Sequence, residues 1–107
     1  MSEHRIVLTA AGSNEEAQQI AHALVERCLA ACVNIVSPVQ SVYRWNGKVE
    51  SAQEWLLVIK TTSTTFPQVR DLIRELHSYD LPECILLNIE DGSPTYLKWI
   101  TESVERG

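Results

Sequence analysis

The chain has 107 residues, 45% of them hydrophobic and 21% charged, a length and balance that fit one globular domain, residues 1–107, and leave no room for a second. Its formal net charge of −5, with no block of Lys or Arg, removes the attraction on which phosphate-backbone binding depends and argues against nucleic acid as a partner. The opening Met-Ser-Glu-His-Arg lacks a hydrophobic signal core, no apolar run approaches membrane-spanning length, and Cys28, Cys32 and Cys84 form no C-x-x-C pair, so the expectation is a cytoplasmic protein with reduced thiols.

Residues 5–9 contain Ile6-Val7-Leu8, a continuous apolar run of the kind buried on both faces, and predict a central strand. Ser13-Asn-Glu-Glu16 then supplies a capping box, in which the Ser13 side chain accepts from the backbone of Glu16 and Glu16 reaches back. Ala17, Ile20, Ala21, Leu24, Val25 and Cys28 recur at helical spacing and predict one stripe packed on the sheet. Two long extended runs follow, 32–45 and 48–61, flanking Asn46-Gly47, the dipeptide best suited to a two-residue type I′ turn. Each arm spans roughly 45 Å at about 3.3 Å per residue. A compact domain of this length is only about 34 Å across, so the hairpin tip is expected to project beyond its own core. Tyr43, Trp45 and Trp55 are poor candidates for free exposure, and an isolated ribbon is marginal in water, which predicts a subunit partner. Pro38 interrupts the donor ladder of the first arm and predicts a bulge.

The hydroxyls of 61–65 suit a helix cap and Pro67 a first helical turn, after which Val69, Leu72, Ile73 and Leu76 give a second amphipathic helix. Leu81-Pro82 ends that region, 84–89 reads as a strand, and Ser93-Pro94 opens a last helix with Leu97, Ile100 and Val104 on its inner face. The order βαββαβα predicts an α+β, ferredoxin-like βαββαβ sandwich with a long central β-hairpin and an extra C-terminal helix. Its fourth strand lies at an edge yet is apolar on both faces apart from Asn88. Edge and overhanging hairpin together predict a closed oligomer in which strands of one subunit extend the sheet of the next.

Specific segments then become recognisable. Leu29-Ala-Ala-Cys-Val-Asn-Ile35, Ser41-Val-Tyr-Arg-Trp-Asn-Gly-Lys-Val-Glu50, Glu54, Leu57-Val-Ile-Lys-Thr-Thr62 and His77-Ser-Tyr-Asp-Leu-Pro-Glu83 resemble the CutA family of divalent-cation tolerance proteins, from about Val7 to Val104. The resemblance implies a tightly packed homotrimer of ferredoxin-like subunits, similar in shape to PII-type signalling proteins. It also implies a role in tolerance of divalent metals, copper in particular, with no agreed enzymatic reaction.

Two sets of residues are candidates for chemistry. Cys32 matches the family's Leu-Ala-Ala-Cys motif, and a thiolate there suits Cu(I) or Zn(II), with the His77 imidazole as a second metal ligand; the bland alternative is a buried strand thiol. The pair has no local metal spacing, so tertiary or intersubunit geometry must bring it together. Members for which copper binding is argued carry a further first-strand cysteine and a His-His pair, where this chain has Leu8 or Thr9 and Leu76. The second set is Glu54, Lys60, Tyr79 and Glu83 with Tyr43, Trp45 and Glu50 from the hairpin tip. In the family these positions resemble a cluster lining the cleft between subunits, and the alternative is an interface network that fixes register. Lys60 ends an apolar strand, and Glu83 is its expected partner.

Nothing resembles G-x-S-x-G, a glycine-rich phosphate loop or an acylphosphatase anion loop, and His4 and His22 sit at the terminus and on a solvated helix face, so no enzyme is expected. The preferred reading is a cytosolic homotrimer acting in divalent-metal tolerance by binding metal or ligand. The alternatives are a PII-like sensor that passes a small effector's signal to a protein partner, and a structural or anchoring trimer.

Overall fold

The structure, a computed structural model, describes residues 3–105 in the order β1 (His4–Ala11), α1 (Asn14–Glu26), β2 (Cys32–Trp45), β3 (Lys48–Thr62), α2 (Phe66–Leu76), β4 (Ile85–Asn88) and α3 (Pro94–Glu105). Met1 and Ser2 of the opening segment lie outside the described residues. The strands form one antiparallel sheet, β2-β3-β1-β4, the order of the ferredoxin-like sandwich expected from the sequence. β1 is interior, as its apolar run requires.

Alternation sorts the sheet's side chains. Val7, Ala11, Leu57 and Ile59 point to one face, where they meet Ala17, Ile20 and Leu24 of α1 and Val69, Leu72 and Ile73 of α2. Each fully buried aliphatic side chain there contributes roughly 1.5–3 kcal/mol. α3 lies against β1 and β3, burying Ile100 and Val104, and His4 Nε2 meets Thr101 Oγ1 at 2.8 Å.

The Ser13 cap forms: its Oγ accepts from the Glu16 N–H at 3.1 Å. The far end of α1 departs from the expected stripe. The helix stops at Glu26, Val25 is 43% exposed, and Cys28 lies past the end with φ 58. Leu29 N–H bonds Leu24 O and Cys28 N–H bonds Val25 O, a Schellman motif with cysteine in the left-handed position that normally holds glycine. Cys28→Gly is therefore expected to raise stability by about 1 kcal/mol, read as a higher denaturant midpoint at unchanged slope.

The hairpin follows its predicted arms to within one residue. Asn46 and Gly47 have φ of 52 and 79, as a type I′ turn requires, and the β2–β3 register shifts between Val36 and Val39, around Pro38. The domain measures 44 × 25 × 22 Å, its long axis exceeding what its mass alone dictates, and Val42 and Val49 near the tip are 69% and 66% exposed. α2 has Pro67 in its first turn as expected, but the hydroxyl cap does not form, because Thr65 Oγ1 lies 2.9 Å from Thr62 Oγ1. β4 is shorter than predicted. Cys84 precedes it and packs on the core, while Ile85, Leu86 and Leu87 are exposed at the sheet edge.

Candidate functional site

Period-two alternation along β3 puts Glu50, Ala52 and Glu54 on the sheet face turned away from α1 and α2, and the register sets Tyr43 directly opposite Glu50. The loop between α2 and β4 returns past the end of β1 and brings Tyr79 and Glu83 to the same place. Between hairpin and loop lies a cleft of about 750 Å³. Tyr43, Trp45, Glu50, Glu54, Tyr79 and Glu83 all line it, six of the seven cleft residues singled out from the sequence. Ala10, Arg44 and Asp80 line it as well.

His77 pins the loop. It is the C-cap residue of α2, and its side chain is fully buried. Ring Nε2 lies 2.6 Å from Ala10 O, which only accepts, so Nε2–H is the donor; Nδ1 accepts from the Tyr79 N–H at 3.1 Å. The Glu16 carboxylate lies 3.3 Å from Nδ1, so the far half of the expected capping box is turned to the histidine. The Tyr79 ring leans on His77, with centroids 4.6 Å apart, and its hydroxyl donates to Glu54 Oε2 at 2.9 Å. Gly12 leaves room for that hydroxyl, since a Cβ there would stand 2.8 Å from it.

Burial, then the Glu54 hydrogen bond and the Glu54 charge, push Tyr79 up from 10.0 to about 12. A phenol that holds its proton more tightly when folded stabilises fully below its unfolded pKa near 10, and that contribution is lost as pH rises through about 12. Tyr79→Phe is therefore expected to remove part of the alkaline loss of stability between about pH 10 and about pH 12, which denaturant midpoints of both proteins across that range will measure. Burial and the nearby Glu54 charge likewise raise the Glu83 carboxyl.

The remaining candidates sit elsewhere. Lys60 Nζ bonds Asn34 Oδ1, a diagonal neighbour on the same sheet face, so the expected Lys60–Glu83 pair is replaced by a lysine–asparagine contact and Lys60 stays outside the cleft. Cys32 pairs in register with Lys60, whereas His77 grips Ala10, whose partner is Leu56. Four residues of β3 separate those levels, about 13 Å, so one chain does not bring Cys32 and His77 together. His77 also fits a copper ligand poorly, with both nitrogens engaged. Among the described residues, no three His, Cys, Asp or Glu side chains converge as a metal cage.

Sequence reading missed Ala10, Gly12 and Glu16 as parts of the site. Glu16 looked like a capping residue because its second contact, to His77, is tertiary. Arg44 and Asp80 were legible as neighbours of Tyr43 and Tyr79 in the quoted segments.

Fold and cleft define a ferredoxin-like protein with one wall of its largest described cleft built on an extended hairpin. The CutA1 divalent ion tolerance protein model matches residues 5–103, and the chain belongs to that family. It is 47% identical over 98 residues to the divalent-cation tolerance protein CutA of Thermus thermophilus, covering 92% of this chain and 95% of that one. The solved Thermus structure superposes with a TM-score of 0.92 at 46% identity, over 94% of this chain and 97% of that one. The Archaeoglobus fulgidus structure, described as a periplasmic divalent cation tolerance protein, gives a TM-score of 0.92 at 44% identity, over 94% and 98% of the two chains.

Proposed function

We propose that this chain acts in divalent-metal tolerance by binding rather than turnover, as a cytosolic homotrimer in which the hairpin cleft is the binding element. The observation that carries the reading is the hairpin itself. It extends past the core, exposes Val42, Val49 and Trp45, and builds one wall of the cleft. Apolar surface of that kind is stable in water when other copies cover it. The exposed edge of β4 supports the same assembly, since unpaired strand groups invite a neighbouring strand. Three unpaired thiols favour the cytosol for this chain over the periplasm named for the Archaeoglobus relative.

Copper, or another divalent metal held by Cys32 and His77, is the competing binding mode. Equilibrium dialysis against Cu(I), Cu(II) and Zn(II), with wild type, Cys32→Ser and His77→Ala, separates the two. The expected result is that His77→Ala leaves metal uptake unchanged, because the ring is already engaged at both nitrogens. Uptake that falls in a folded His77→Ala trimer would restore the thiolate–imidazole centre and displace the cleft. The cleft's volume also favours an effector-sensing role of the PII-like kind over mere anchoring.

A further inference from the structure

We propose that the cleft takes a small organic polycation of the linear polyamine class, its ammonium groups held by carboxylates spaced along the hairpin and by two tyrosine rings. The inference rests on the cleft being the binding element and names its ligand chemistry. Four carboxylates, Glu50, Glu54, Asp80 and Glu83, line it against one guanidinium, Arg44. An anionic effector would meet that charge unfavourably.

A single metal ion fits no better. Glu50 and Glu54 share a face of β3 four residues apart, about 13 Å, whereas even a large divalent ion holds its oxygens at about 2.3–2.6 Å. With Glu83 beside Glu54 and Glu50 about 13 Å along the strand, the carboxylates suit a chain of separated charges.

The aromatic rings carry the second half of the argument. Tyr43 comes from β2 and Tyr79 from the loop, so two separate elements bring rings to the same volume. Ring faces attract ammonium groups within about 6 Å. The Tyr79 hydroxyl holds the Glu54 carboxylate in place beside them. The cleft's 750 Å³ lies in the range of small-molecule sites. An ammonium group would also relieve the repulsion between Glu54 and Glu83.

Calorimetric titration of the full-length protein with spermidine at low salt tests this, with ATP and Mg²⁺ as separate arms. Saturable binding at one site per chain is expected, weakened at least about tenfold in E54Q/E83Q. On the unaltered protein, spermidine should shift the amide resonances of residues 41–45 and 79–83, a readout independent of how the variant folds. Spermidine binding that the variant retains in full, with shifts scattered over the surface, would mark diffuse attraction to an acidic protein and overturn the proposal. ATP shifting those resonances while spermidine does not would overturn the polycation and leave the cleft a binding site. Silence of all three probes at those resonances would overturn the polycation and count against the cleft as well.

Discussion

Replacing Trp45 with Asp is expected to dissociate the proposed trimer into single chains, at a cost of about 3 kcal/mol or more per contact. Trp45 ends β2 beside the turn, at the point of the hairpin farthest from the domain's core, and is 43% exposed in one chain. In the proposed trimer a neighbour would cover that ring, and a carboxylate in its place would be desolvated without a partner. Its cross-strand neighbour Lys48 offers an exposed ion pair worth only about 0–1 kcal/mol, too little to offset the loss. Light scattering behind size exclusion reads the result directly. An intact trimer of folded Trp45→Asp would remove the tip from the interface.

His77→Ala is expected to destabilise the chain by about 3 kcal/mol, the scale for two buried polar groups losing a shared partner. Two groups are stranded at once: the Ala10 carbonyl and the Tyr79 N–H. The same substitution releases the loop that carries Tyr79. Its phenol should then ionise below about 12, nearer the ordinary tyrosine value, in an ultraviolet titration. Denaturant unfolding measures the first effect. A loss below about 1 kcal/mol, with Tyr79 ionising as before, would show that the loop is held by something other than the ring.

Local chemistry made most of the fold legible. The turn at Asn46-Gly47 has one favoured geometry, and the β-branched runs beside it extend until a bulge or cap intervenes, so the hairpin arms were readable almost to the residue. Tyr43, Glu50 and Glu54 were singled out through the resemblance to the family, and the register of the folded arms explains why they share one face. What stayed hidden depended on distant contacts. α1 ends two residues early because the chain adopts a left-handed residue at Cys28, a choice that periodicity does not encode. Lys60 finds Asn34 across the strand pair, in place of the expected Glu83, because the two share one sheet face in a register that only the folded hairpin fixes. His77 read as a metal ligand because imidazole is a good one; its bond to Ala10, 67 residues earlier, exists only in the folded sheet.

The hairpin is too long for its own domain to cover, which calls for neighbouring copies. Sedimentation equilibrium of the unaltered protein at micromolar concentration tests that most directly. A single species of three chain masses is the predicted result; a stable species of one chain mass, with the tip residues still folded, would contradict it.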